Sequence, residues 1–338
     1  MNFGLYVVDW YESNGRNLPW RETRDPYKIW ISEVILQQTR IIQGMGYYQR
    51  FIRRFPDVTT LAEASLDEVL KYWEGLGYYS RARNLHAAAK QIVNDYQGVF
   101  PDHYAVLQKL KGIGPYTARA IGSFAFGNDT GVIDGNVLRV MSRVLGDPSP
   151  INKASTRNRF QTIIDGWVKN VDSRLFNNGI MDIGSVICTP TRPGCLICPL
   201  QSSCKAYQDG MTHLLPVKEK SADRKIKYYN FYLSTRANGD FLIRQRPEDG
   251  LWGGLWEVPN EEVDFVEWEK KSGKHGGQFL FSMKHVFTHF DMFIHVFLLS
   301  GDFSEEWPEA QFISTDKISI FAFSKAVLKI FDTWQNTD

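Results

Sequence analysis

Every cysteine of the 338-residue chain, Cys188, Cys195, Cys198 and Cys204, falls in one stretch, CTPTRPGCLICPLQSSC. Four thiols this close suit a metal centre better than staples between distant segments. The spacing C-x6-C-x2-C-x5-C has one short pair flanked by wider gaps. Tetrahedral zinc or an iron–sulfur cluster would accept it, and the wide gaps favour the larger cluster. Two carboxylates come next. Glu33 lies in YKIWISEVILQQTR among Trp30, Ile31, Val34, Ile35 and Leu36. Apolar surroundings raise a carboxyl's pKa and make it a general acid near neutrality. The alternative is a polar stripe shared with Gln37 and Arg40 at i+4 and i+7. Asp134, in GVIDGNVLRV, precedes a helical run and reads as an N-cap. The helix dipole and N–H donors hold such a carboxylate ionised, which is what a cationic, sugar-like transition state needs. Between the two, LKGIGPYTA places Lys111, Gly112 and Gly114 just ahead of a helix. Such a turn offers consecutive backbone N–H groups to a phosphate.

These residues need a scaffold. In SLDEVLKYWEGL and LHAAAKQIVNDY apolar residues recur at i, i+3 and i+4, and helical patterning holds from Leu5 to about Tyr207. Breaks fall at FPDVTT, GVFPDH, KGIGPY and GDPSP. Ser65 followed by Glu68 predicts a capping box. The stretch DGMTHLLPVKEKSADRK turns polar and reads as a linker. Beyond it YYNFYLSTR, DFLIRQR and FIHVFLLS predict strands, separated by Asn-Gly and Gly-Asp turns, and SKAVLKIFDTW predicts a closing helix. The expected organisation is a mainly α region over 1–208, a linker over 209–225 and a smaller α+β domain over 226–338. Net charge is +1, unevenly spread: residues 1–218 carry +6 and residues 219–338 carry −5. A mildly basic part beside an acidic one is weak support for a polyanionic partner of the first. No run of about 18 apolar residues predicts a membrane span. MNFGLYVVDWYESNGR lacks the basic start and cleavage site of an export signal. A reducing compartment follows as the expectation, and it disfavours disulfides.

The hairpin pattern L-x-G-I-G-x-x-T-A, Asp134 about twenty residues later and the cysteine loop together resemble the helix-hairpin-helix DNA glycosylase superfamily, over residues 1 to about 215. The cysteine spacing is similar to the loop that holds a [4Fe–4S] cluster in endonuclease III-type members. WISEVILQQT, LPWR and WEGLGYYSRARNLH closely resemble the MutY-type adenine DNA glycosylases. The resemblance implies a six-helix barrel plus iron–sulfur module, followed by an α+β Nudix-like domain. It implies that Glu33 protonates the adenine leaving group and that Asp134 stabilises the oxocarbenium ion. Tyr116 and Asn136 then assist around the sugar and the water. Bifunctional members carry a lysine where this chain has Tyr116, which forms no Schiff base, so no lyase step is expected. Lys111, Gly112 and Gly114 would meet the DNA backbone, with Arg192 and Lys205 as further phosphate contacts. Gln38, Thr39, Leu76, Tyr78, Thr288 and His289 would approach 8-oxoguanine, with Tyr78 as the wedge, and Arg81 would bind the DNA beside them. Arg16, Trp20, Arg21, Trp30 and Asn178 would line the base pocket. The implied partner is duplex DNA with adenine opposite 8-oxoguanine or guanine. The chain is expected to act as a monomer, in the cytoplasm and at the nucleoid of a bacterial host. Two departures stand out. Asn178 replaces a Gln or Glu, so the adenine contact should be lost or water-mediated. Gly44 and Gly46 should loosen a helix end.

Residues 225–338 resemble the C-terminal domain of the same family, most clearly in DFLIRQRPEDGLWGGLWEVPN. A Nudix hydrolase would follow this with R-E-x-x-E-E to hold Mg²⁺. EEVDFVEWEKKSGKHGG carries no such motif, so pyrophosphohydrolase activity is not expected. KHVFTHFDMFIHVF holds His285, His289 and His295, which strand alternation would place on one face, in a packed hairpin rather than a metal site. Other readings are an endonuclease III-like glycosylase with another base preference and a non-catalytic, cluster-bearing DNA-binding protein. Tyr116 opposes the first, and the presence of both Glu33 and Asp134 opposes the second.

Overall fold

The computed structural model describes residues 3–220, 223–307 and 309–336. It divides into two compact units, Met1–Thr59 with Ala88–Ser221, and Thr60–Ala87 with Ala222–Asp338.

The first unit is helical, as predicted. It contains α1 (Phe3–Asn14), α2 (Pro26–Ile35) and α3 (Ile41–Arg54), while α4 (Val58–Glu63) straddles the division. In the second unit lie α5 (Leu66–Trp73) and the first turns of α6 (Ser80–Tyr96). The first unit resumes with α7 (Tyr104–Leu107), α8 (Pro115–Phe126), α9 (Gly135–Leu145), α10 (Ala154–Val168), α11 (Ser173–Asp182) and α12 (Lys205–Gln208). The caps are legible in the sequence. The Asp25 side chain accepts from Tyr27 N with Pro26 in the first turn of α2, and Gly146 ends α9 in the left-handed region. Val137, Val140, Met141, Phe160, Ile164, Phe176 and Ile180 are buried together and lock α9, α10 and α11 into one core. That core fixes the two helix ends on which Asp134 and Asp182 sit. The helix α3 runs unbroken through Gly44 and Gly46, so the expected loosening is absent. A Cβ on Gly44 would come within 2.7 Å of Leu36 Cδ2, so a larger residue here would have to displace the tip of that side chain.

The second unit is built on a sheet ordered β3-β2-β1-β6-β5, with β4 on β1 and β7 on β2. Its strands are β1 (Lys225–Thr235), β2 (Phe241–Gln245), β3 (Trp256–Glu257), β4 (Asn260–Val263), β5 (Gln278–Val286), β6 (Phe290–Ser300) and β7 (Ala310–Ile313), accompanied by α13 (Phe265–Glu269) and α14 (Lys325–Gln335). The predicted Asn-Gly turn joins β1 to β2, with Gly239 at φ +86° and Arg236 N donating to Asp240 O. The long central pair, β1 with β6, is parallel, and β5 with β6 is antiparallel. The three histidines do not share one strand face, because the chain reverses between them. His285 is on β5, His289 is in the turn, and His295 is buried in β6, stacked 3.9 Å from Trp268.

The segment Thr60–Ala87 falls outside the division expected at 208/226, because its polar side chains bond to the C-terminal sequence. Lys71 Nζ donates to Phe321 O at 2.8 Å, Glu74 Oε1 accepts from Phe323 N at 2.8 Å, and Arg83 Nη1 donates to Gly253 O at 2.7 Å. Tyr79 and Gln245 add bonds to Phe323 O and Asp67. Ser65 caps α5 by accepting from Glu68 N, as the capping-box pattern predicted.

Candidate active site

A cavity of about 1150 Å³ opens in the first unit. Glu33 from α2, Tyr116 from the first turn of α8, and Asp134 and Asn136 at the head of α9 all line it. Gly112 and Gly114 of the hairpin, Gln38 and Thr39 after α2, and Asn178 on α11 line it too, as do Arg16, Trp20 and Arg21. The helix α2 stops at Ile35. Gln37 and Arg40 are therefore off the helix, and the alternative polar stripe does not form. Glu33 is instead held by Tyr116, whose hydroxyl donates to Glu33 Oε2 at 2.8 Å. Burial raises the Glu33 pKa to about 7; the Tyr116 bond and the Arg21 charge oppose the rise, and the Asp134 charge adds to it. Burial and the neighbouring Glu33 push the Tyr116 hydroxyl far above its ordinary value, so it stays a donor.

Asp134 is the N-cap of α9. Its Oδ1 accepts from Val137 N at 2.7 Å, and its Oδ2 accepts from Asn136 Nδ2 at 2.9 Å. In the sequence reading, the helix dipole and these donors hold the carboxylate ionised. Burial works against those donors: it raises the Asp134 pKa, and bonds from Val137 and Asn136 and the Arg139 charge pull it back without cancelling the rise. The surroundings of the two carboxyls differ. Asp134 has N–H donors and a cation behind it, whereas Glu33 sits at about 7 with Asp134's charge as one cause. The two carboxyls thus differ in their partners, Glu33 taking one phenol hydroxyl and Asp134 a backbone N–H and a side-chain amide.

Several contacts around the pair lay beyond sequence reasoning. Arg139 donates to Asn136 Oδ1 at 2.9 Å, to Gly184 O at 2.5 Å and to Cys188 O at 2.7 Å, which ties the Asp134 cap to the start of the cysteine loop. Gly184 lies in a π-helical turn, Ile183–Ile187, that continues α11; a Cβ there would meet Asn136 Cβ at 2.8 Å. Arg157 and Arg174 also line the cavity. Asp182 is fully buried and binds both Arg16 and Arg21. The only sequence signal for it was an acid between Met181 and Ile183, the same signal that marked Glu33.

Other predicted residues fall elsewhere. Trp30 does not line the cavity: it is buried in the core, edge-on to Tyr27 and Phe100. Asn178 lines the cavity and donates its amide to Arg174 O, one turn back on its own helix, at 3.0 Å. Lys111 is exposed, and the expected run of free N–H groups at the hairpin is interrupted. Lys111 N donates to Gln91 Oε1, and Ile113 N donates to Leu110 O. Gln38 takes φ +58°, an uncommon conformation for a side-chain-bearing residue, at the α2–α3 turn. In the second unit Tyr78 is exposed at φ +49°, and its hydroxyl lies 2.5 Å from Thr288 Oγ1. The Arg81 guanidinium lies over the Tyr78 ring and donates to Gly77 O. Leu76 is buried, and His289 stands edge-on to Phe290 in the β5–β6 turn. Arg192 and Lys205 are exposed in and beside the cysteine loop.

The four cysteines line one small cavity with Val140, Val144, Ile183, Ile187 and Leu200. Arg143 Nη1 donates to Cys188 Sγ at 3.3 Å. Among the described residues, no three His, Cys, Asp or Glu side chains converge closely enough to hold a single metal ion.

A profile of the HhH-GPD superfamily of base excision DNA repair proteins matches residues 31–171, and a NUDIX domain profile matches residues 230–333. A thermostable thymine-DNA glycosylase structure aligns with 61% of this chain and 95% of its own at TM-score 0.57 and 29% identity. A non-covalent endonuclease III–DNA complex shares the fold, with TM-score 0.52 over 62% of this chain and 94% of that one at 20% identity. The fold is that of the HhH-GPD superfamily of base excision DNA repair proteins. The relatives narrow this further. Adenine DNA glycosylase of Buchnera aphidicola subsp. Schizaphis graminum is 34% identical over 319 residues, covering 91% of this chain and 90% of the relative. The Mus musculus enzyme is 32% identical over 405 residues, covering 99% and 78%. The chain belongs to the adenine DNA glycosylase (MutY) family and removes adenine from DNA in base excision repair.

Proposed function

We propose that the chain excises adenine paired with 8-oxoguanine, less efficiently adenine paired with guanine, by hydrolysis and without strand cleavage, acting as a monomer in the cytoplasm. The observation that carries the chemistry is the pair of carboxyls in one cavity, Glu33 buried and bonded to Tyr116 and Asp134 capping α9. The adenine leaves the base stack to reach them. Protonated Glu33 gives its proton to adenine N7. The C1′–N9 bond then breaks with its electron pair leaving on the neutral base. The Asp134 carboxylate faces the positive charge that develops on the sugar, by the two-carboxylate logic of glycoside hydrolysis. Water adds to C1′, its proton passes to a carboxylate, and an abasic site remains. Tyr116 orients Glu33, and Asn136 holds one oxygen of Asp134.

Support for the 8-oxoguanine reading is the pairing of Tyr78 with Thr288, the two residues assigned to the lesion side, which share a hydrogen bond within one unit. Gln38 and Thr39 on the cavity wall would meet the same base pair. Cys188, Cys195, Cys198 and Cys204 would hold a [4Fe–4S] cluster, which when bound supplies a thiolate-ligated brace for the 188–204 loop. Iron and sulfide analysis of purified protein should return about four of each per chain, and a zinc-only protein would overturn the assignment.

Single-turnover excision from duplexes with adenine opposite 8-oxoguanine, guanine or thymine tests the function. Release should be fastest opposite 8-oxoguanine, with strand breaks only after alkali. Glu33→Gln and Asp134→Asn should each slow release by about 10²–10⁴-fold while duplex binding persists. Normal turnover in either variant removes that residue from the mechanism.

A further inference from the structure

Asp182, the last residue of α11, has a fully buried side chain, yet it faces two arginines at once. It accepts from Arg16 N at 3.0 Å, Arg16 Nε at 2.9 Å and Arg16 Nη2 at 2.5 Å. It also accepts from Arg21 Nη1 at 2.7 Å and Arg21 Nη2 at 2.8 Å. Both arginines line the cavity beside Glu33 and Asp134. We propose that Asp182 is a positioning residue that locks Arg16 and Arg21 into the cavity wall, where their excess positive charge faces the departing base.

The argument begins with charge. One carboxylate against two guanidiniums leaves a net +1 at the wall. A buried charge is normally neutralised by its partner or by a proton. Burial does oppose the Asp182 charge, but the bonds from Arg21 and Arg16 outweigh it, so the carboxylate stays ionised and the guanidiniums stay in place. The arginines come from the short segment between α1 and α2, Arg21 closing a 3-10 turn, Pro19–Arg21. Without an anchor, long cationic side chains in an open cavity would turn to solvent or to DNA phosphates. Held in place, they put fixed positive charge near the purine as the C1′–N9 electron pair moves onto it, and preorganised charge of this kind is worth far more in a dry site than in water. Arg21 already acts on Glu33, opposing its raised pKa. The proposal rests on the acid–anion reading of Glu33 and Asp134.

The test is Asp182→Asn, which keeps the volume and removes the charge. Single-turnover adenine release should fall by about ten- to a hundredfold. Affinity for a duplex carrying a non-cleavable adenine analogue should change by less than about threefold, since phosphate contacts dominate it. Glu33 faces Tyr116 from α8, Asp134 ahead of α9 and Arg21 ahead of α2. Losing the compensating charge behind Arg21 leaves more positive charge beside Glu33, so the pH at which excision falls to half should move down. A merely structural ion pair would lower the melting temperature and the binding together with the rate, and would leave the pH midpoint where it was; that result overturns the proposal. If Asp182→Asn fails to fold, Arg21→Lys keeps the charge and loses the paired bonds; it should slow release with binding intact, and wild-type release from it overturns the proposal equally. Glu33→Gln, run alongside, separates the two readings: normal release there would sink the acid assignment whatever Asp182 does.

Discussion

At the scale of single residues, the acid is defined by what surrounds its carboxyl. Glu33 is protonated below about 7 because burial penalises its charge. The proposed mechanism uses the protonated form, so the single-turnover rate should fall as pH rises through about 7. Tyr116→Phe gives a signed prediction. The hydroxyl donates to Glu33 and favours its ionised form, so removing it should move the alkaline limb of the pH–rate profile to higher pH. A limb that stays or moves down would show that another group controls it. Asp134 shows the limit of a local motif. The N-cap geometry was legible, but the balance between its donors and its burial was not, and burial wins.

At the scale of elements, the proposed catalytic pair depends on three helix ends meeting. The ends are the last turn of α2, the first of α8 and the first of α9. The π-helical turn after α11 backs them, with Gly184 against Asn136 and Arg139 joining Asn136, Gly184 and Cys188. Gly184→Ala places a Cβ 2.8 Å from Asn136 Cβ and 3.1 Å from its backbone. Overpacking of this kind costs about 1–3 kcal/mol. The variant should melt at a lower temperature, and it should lose more excision rate than duplex affinity, because the displaced neighbour holds Asp134. Equal losses of both would show that the strain is absorbed elsewhere.

At the scale of the whole chain, the boundary drawn from composition and the boundary drawn by contacts differ. The linker near 209–225 marks where the chain leaves its helical part, but Thr60–Ala87 belongs with the C-terminal unit. Its anchors include Phe321 O, Phe323 N and Gly253 O. A chain cut at residue 220 strips α5 and the start of α6 of these partners and exposes apolar residues such as Leu70 and Tyr79, which are buried in the full chain. The truncated protein should melt lower and aggregate more readily than the full chain; equal stability in thermal denaturation would show that the segment needs no partner from beyond 222. No described helix is long and apolar enough to cross a membrane.

The sequence by itself singled out the candidate residues for chemistry and determined the elements that bear them. Glu33 stood out as a charge in an apolar run, Asp134 as a polar cap before a periodic one, and the cysteines by proximity, all features within a few neighbours along the chain. The helices, the Asn-Gly turn and the closing helix were legible for the same reason. Tertiary structure alone decided what is set by residues far apart in the chain. It took Trp30 out of the cavity and into the core. It raised the Asp134 pKa through burial, brought Asp182 to Arg16 across 166 positions, and split the three histidines around a turn. It also paired β1 with β6 in parallel and gave Thr60–Ala87 to the second unit. Propensity and capping act within one turn or strand. Desolvation and ion pairing depend on which surfaces the whole chain brings together.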